Sequence, residues 1–244
     1  MSLKKIAKLL LPLMVVALIS QCATVKGWFG KKKGPDKPPE TLAQEGIDKL
    51  KKKKYDDAID NFAKIRDRYP YSQQALLAQI KVADSYFYKK KYDEARNAYA
   101  EFEKLHPTNK AVPYCIYRQG LCYYRQRSTI DRDQKFTVKA MQEFRRLKQK
   151  YPKSEHIAKA DKFLARCRKD LMEHEYYVAD FYFRTKRYSS ALERFQTLLQ
   201  EYPEFPKKDK VKKDMAECQK VLATKDKRKG GLSFYANYLF DAKW

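Results

Sequence analysis

The chain has 244 residues, 54 Lys and Arg against 30 Asp and Glu, and a formal net charge of +24. Such an excess suggests an anionic partner, yet it is spread along the whole chain as on a solvated helical surface, and it singles out none. The apolar run Leu9–Ile19 holds eleven residues; as a helix it reaches only ~17 Å, too short to span a bilayer.

Lys4, Lys5 and Lys8 precede that run, the order expected of a secretory signal peptide that is later removed. Ile19-Ser20-Gln21-Cys22 is similar to a bacterial lipobox, with Gln21 where a small residue is usual. That resemblance implies a covalent N-terminal lipid on Cys22 and loss of residues 1–21. With Lys4, Lys5 and Lys8 gone, the net charge becomes +21. Ala23 stands where Asp would signal inner-membrane retention, which implies an outer-membrane, periplasm-facing location. An ordinary secretory cut near Cys22 and an uncleaved anchor are the alternatives.

Residues 22–40 read as a tether. Gly27, Gly30, Gly34, Pro35, Pro38 and Pro39 spoil helix and strand, and Lys31, Lys32 and Lys33 repel one another. Fully stretched, Ala23–Glu40 reaches ~60 Å. The lysines either rest on anionic headgroups or serve a solvated spacer.

From Thr41 to Ala223 glycine is confined to Gly46 and Gly120, and apolar residues fall at helical spacing without strand alternation. This predicts an all-α body, residues 41–223. Within it Ala58, Phe62, Ile65 and Pro70 recur as Ala95, Tyr99, Phe102 and Pro107. They return as Ala140, Phe144, Leu147 and Pro152, then as Ala191, Phe195, Leu198 and Pro203. The first three of each set form one helical stripe, and the proline ends the helix. Upstream, Gly46, Ala83, Gly120 and Ala179 are small where a partner helix must come close; Tyr86, Tyr123 and Tyr182 follow three residues later.

This series resembles the tetratricopeptide repeat and implies a solenoid of four to five helix-turn-helix units. The third unit carries an insertion containing Ser128–Gln134. Ser154–Lys186 lacks Gly and Pro and reads as one long helix of roughly 50 Å. Val211, Met215 and Ala216 begin a terminal cap. Residues 224–244 form a basic and aromatic tail with Phe234, Tyr235, Tyr238, Leu239, Phe240 and Trp244. It docks back on the body or on a partner.

Catalytic and metal motifs are missing from the sequence: His106, His156 and His174 are far apart, and there is no HExxH, CxxC, GxGxxG or phosphate loop. Asp131 and Asp133 read as caps rather than an acid–base pair. No enzymatic role, metal or cofactor is expected. Cys115 and Cys122 are seven apart on one helix, near 10 Å and beyond disulfide reach. Cys115, Cys122, Cys167 and Cys218 are either buried thiols or partners in bridges between helices.

Specific runs carry a narrower likeness. These are Arg68-Tyr69-Pro70-Tyr71-Ser72, Tyr117-Arg118-Gln119-Gly120-Leu121, Asp131-Arg132-Asp133-Gln134, Tyr151-Pro152-Lys153-Ser154 and Glu175-Tyr176-Tyr177-Val178-Ala179-Asp180-Phe181-Tyr182. With the lipobox and tether they resemble the BamD family, lipoproteins of the outer-membrane β-barrel assembly machinery. Asp131, Arg132, Asp133 and Gln134 are its specific insertion. The resemblance implies a non-catalytic scaffold. Its C-terminal repeats would meet the POTRA region of BamA, beside other Bam lipoproteins, and its N-terminal repeats the C-terminal segments of unfolded outer-membrane proteins. Tyr69 and Tyr71, between repeats one and two, and Tyr86 are the candidates for that client groove; packing within the inter-repeat turn is the alternative for Tyr69 and Tyr71.

Helix geometry puts Arg194, one residue before the apolar Phe195, at a repeat edge. There it faces an acidic BamA residue or pairs within the solenoid. Another periplasmic repeat scaffold, for cell-wall or competence machinery, is the rival reading. A nucleic-acid binder, suggested by charge and nineteen tyrosines, is disfavoured because the tyrosines follow the packing register.

Overall fold

The computed structural model describes residues 37–240, with side chains through Asp226. Among these residues the regular structure is entirely helical. The helices are α1 (Pro39–Lys51), α2 (Tyr55–Arg68), α3 (Gln73–Tyr88), α4 (Tyr92–Leu105), α5 (Val112–Arg125), α6 (Lys135–Lys150), α7 (Ile157–Arg184), α8 (Tyr188–Glu201) and α9 (Lys208–Phe240). Each packs on the next, giving four helix pairs followed by α9. Across pairs, α1 also reaches α3 and α5 reaches α7. These contacts across pairs join first helix to first helix. This is the tetratricopeptide solenoid.

The two turn types repeat because their chemistry repeats. At the end of each second helix stands Tyr69, His106, Tyr151 or Tyr202, each before a proline, with φ from −128° to −135° and ψ from 51° to 68°. The proline ring forbids the helical region to its predecessor, so the chain must leave the helix there. Two residues past the first helix of pairs one, two and four stand Lys53, Lys90 and Lys186, with φ of 59°, 64° and 60°. The amides of Lys54, Lys91 and Arg187 reach back to the carbonyls of Lys49, Tyr86 and Tyr182 at 2.9 Å, closing Schellman turns. A lysine in this left-handed region costs ~1–2 kcal/mol over a right-handed one, whereas glycine pays no such steric cost but loses more chain entropy. Lys53→Gly, Lys90→Gly and Lys186→Gly together should therefore raise stability by about 1–2 kcal/mol, read as a higher urea midpoint. A lower midpoint would show that these lysines stabilise the turns by other means.

Every stripe residue named from the repeat is buried: Ala58, Phe62 and Ile65; Ala95, Tyr99 and Phe102; Ala140, Phe144 and Leu147; Ala191, Phe195 and Leu198. Gly46 and Gly120 sit against Phe62 and Phe144; a Cβ there would lie 2.7 and 2.6 Å from the facing ring. Tyr86, Tyr123 and Tyr182 are half-buried and pack on the apolar clusters.

Three boundaries and one buried stripe differ from the sequence reading. The first helix starts at Pro39 rather than Thr41, because proline's fixed φ suits the first helical position. The long helix starts at Ile157, about 42 Å of helix, because the turn after Pro152 extends to His156. In α9, Val211 and Cys218 are buried, Met215 is half-buried and Ala216 is exposed; the inner stripe runs i, i+4, i+7. Last, the backbone passes the expected Ala223/Thr224 boundary within one continuous helix.

Candidate protein-binding surfaces

At the centre of the solenoid, α3, α4 and α5 meet on a buried polar network. The hydroxyls of Tyr99 and Tyr114 both donate to Asp84 Oδ1, at 2.5 and 2.6 Å. Arg118 Nε donates to the Tyr99 oxygen at 2.9 Å, and its Nη2 lies 3.6 Å from Asp84. Lys81 reaches the other Asp84 oxygen at 2.9 Å. The Arg118 guanidinium also lies 3.8 Å above the Phe87 ring, a cation–π contact. Burial, reinforced by the Asp84 charge, pushes both phenols above their usual range, so both stay donors. Burial opposes the Arg118 charge, but Tyr99, Tyr114 and Asp84 outweigh it and the guanidinium stays charged. The network fixes the angle between pairs two and three, on which the groove's shape depends.

The three groove tyrosines separate. Tyr69 and Tyr86 are half-buried against the Phe62 cluster. Tyr71, in the turn between α2 and α3, is fully exposed. The fold therefore leaves the Tyr71 side chain in solvent and uses the other two largely for packing.

The insertion is an ordered loop held by its motif. Gln134 is buried, and its amide donates to the carbonyls of Thr129 and Arg132 at 2.8 and 2.9 Å, while Thr137 donates to its oxygen. Asp133 accepts the Lys135 amide at 2.9 Å. Asp131 and Arg132 are exposed, and a hydrogen bond from Thr129 holds the Asp131 carboxyl below its usual range. The loop is tied to α7 by Arg127, 3.0 Å from Asp170, and by His174, whose Nδ1 donates to the Ile130 carbonyl at 2.5 Å.

Arg194 is half-exposed and pairs with Glu175 of α7 at 3.2 Å, the in-solenoid alternative of the two. Two turns toward the start of α7, Arg168 binds Glu204 and the Glu201 carbonyl, continuing a charged edge along the fourth pair. The four body cysteines are free and buried, and burial pushes Cys115, Cys122 and Cys167 up to about 12. His156 stacks on Tyr117 with ring centroids 5.4 Å apart, and burial lowers its pKa. His106 bonds Gln79 at 3.0 Å. Cys22 and the tether through residue 36 lie outside the described residues, as do the tail's aromatic side chains.

Sequence reasoning missed the Asp84 network. One signal was present: in the aligned series Phe62, Tyr99, Phe144, Phe195, only the second carries a hydroxyl, and a buried hydroxyl demands a partner.

Comparison with known proteins covers the same span as the repeats. A family model described as YfiO, outer membrane lipoprotein, matches residues 35–231. The outer membrane protein assembly factor BamD of Rickettsia prowazekii is 28% identical over 98% of this chain and 94% of its own length. That of Caulobacter vibrioides is 26% identical over 78% of this chain, which spans 64% of that relative. Among solved structures, the TPR2AB-domain:pHSP90 complex of yeast Sti1 overlaps 76% of this chain and 71% of its own at 14% identity, with a TM-score of 0.44. With a family match across every helix pair, the chain belongs to the YfiO family of outer-membrane lipoproteins.

Proposed function

We propose that this chain is a non-catalytic scaffold of the β-barrel assembly machinery, held at the periplasmic face of the outer membrane by a lipid on Cys22. Its C-terminal repeats bind the POTRA region of BamA, beside the other Bam lipoproteins. Its N-terminal repeats receive C-terminal segments of unfolded outer-membrane proteins, with Tyr71 as the exposed aromatic and Tyr69 and Tyr86 behind it. No nucleic acid takes part. The observation that carries this reading is the family match over residues 35–231, joined to relatives named as assembly factors. A preformed curved surface suits the task, because it holds an extended peptide with little ordering cost of its own.

Arg194 is the residue proposed to meet BamA. Its pair with Glu175 is half-exposed, so it is worth only ~0–1 kcal/mol to the fold and can be exchanged for a stronger interfacial carboxylate. Truncating a charge buried in an interface costs roughly 2–5 kcal/mol. The full tagged chain, captured from detergent-solubilised envelopes, should bring down BamA as its main partner. Arg194→Ala should cut BamA affinity more than about tenfold while the melting temperature stays within a degree or two. Absence of BamA would overturn the function; unchanged affinity with a lowered melting temperature would return Arg194 to the fold alone.

A further inference from the structure

The insertion does more than interrupt the third repeat: it supplies one wall of a cavity. With Gln134 holding the loop and His174 holding the Ile130 carbonyl, Ile130 faces Met172, Tyr176 and Tyr177 of α7 across from Phe205. The cavity holds about 350 Å³, at the lower end of the ~300–1,000 Å³ range of ligand pockets. That is room for one large side chain and its flanking backbone rather than for an extended cofactor. Tyr177 and Phe181, one turn apart, stay 40% and 46% exposed and continue the apolar surface along the helix.

The rim sets the charge of the occupant. Glu173 has Lys169 at 3.7 Å, and Asp180 has Arg184 at 2.9 Å and Lys210 at 3.5 Å. Lys207 has no carboxylate within ion-pair distance among the described residues; its ammonium lies 5.1 Å above the Tyr176 ring. An uncompensated cation thus sits one residue's breadth from an apolar wall. A chain terminus with a large apolar side chain carries both matching features on one Cα: the side chain fills the cavity and the free carboxylate meets the ammonium.

We propose that this pocket binds the C-terminal residue of an extended peptide, its aromatic or large aliphatic side chain against Met172, Tyr176 and Ile130 and its α-carboxylate on Lys207. This deepens the client-binding reading above and rests on it for the identity of the client. It places the client's last residue on the fourth pair, with the chain preceding it running back toward Tyr71 on the N-terminal repeats. Glu175 and Arg194 lie outside the set of residues that line the pocket.

The test uses the full chain and fluorescence anisotropy with three labelled ten-residue peptides: one ending in Phe with a free carboxylate, the same peptide amidated, and one ending in Ala. Amidation, the terminal Ala and Lys207→Glu should each weaken binding about tenfold, the scale of one charge-assisted contact or one buried side chain. Lys213→Glu, an exposed position further along α9 with the same change in net charge, should leave binding unchanged. Ile130→Asp should weaken binding while the circular-dichroism signal stays. Equal binding of acid and amide, or equal effects of the two lysine reversals, would overturn the pocket and leave client binding standing. Failure of all three peptides to bind the unaltered chain would overturn client binding itself.

Discussion

Asp84→Ala is expected to cost about 3–5 kcal/mol, the range for breaking a buried ion pair by removing one partner. The loss strands three groups at once. Arg118 would keep its charge in a buried site, and the hydroxyls of Tyr99 and Tyr114 would lose their shared acceptor. Lys81 adds little to the sum, since its side chain is about one-third exposed and can turn to water. In a solenoid the effect is carried by the nearest interfaces, so pairs two and three should loosen first. Urea unfolding followed by helicity should show a lower midpoint, and amide exchange should rise in α3, α4 and α5 before α8. Asp84→Leu with Arg118→Met should recover part of the loss, because a well-packed apolar pair needs no counter-charge. A single-mutant cost below about 1 kcal/mol would mean that water reaches the network and takes over from Asp84.

Gly120→Val should cost about 3 kcal/mol, at the top of the range for overpacking a tight core. The physical reason is a collision without an exit. Even a methyl at residue 120 would come within 2.6 Å of Phe144, whose ring is buried and stacked on Phe163 at 5.5 Å. Valine's two γ-carbons are held in one rotamer on a helix and cannot turn aside. Helix propensity offsets little, since valine exceeds glycine by only ~0.5 kcal/mol. Gly120→Ala should be milder, because Ala83 and Ala179 already occupy the equivalent position opposite Tyr99 and Phe195. Adding Phe144→Leu to Gly120→Val should restore most of the stability, measured by urea midpoint. No rescue would place the strain on the backbone of α5 rather than on the ring.

How far the site was legible depends on whether a residue's fate is decided nearby in the chain. Gln134 could be recognised as part of a specific motif, but its task, gathering the carbonyls of Thr129 and Arg132, needs the loop's path. Helix geometry turns Arg194 away from the buried stripe, whereas its contact with Glu175 needed the position of α7. Tyr69 and Tyr71 are two residues apart and look alike, yet one packs on the Phe62 cluster and the other is fully exposed. That difference arises from the fold of a whole turn around Pro70.

By itself the sequence determined the helical class, the number of repeats and the residues that fill their interiors. It could do so because a helix face is written at i, i+3 and i+4, a proline stops a helix within the same segment, and the repetition of both gave each position three independent witnesses. The tertiary structure decided what no local rule reaches. It closed Asp84, Tyr99, Tyr114 and Arg118, spread over three helices, into one network. It also carried α9 past the expected tail boundary and set the Ile130 carbonyl against His174, 44 residues away. Such contacts depend on the angles between helices, and those follow from packing summed over many side chains rather than from any one stretch of chain.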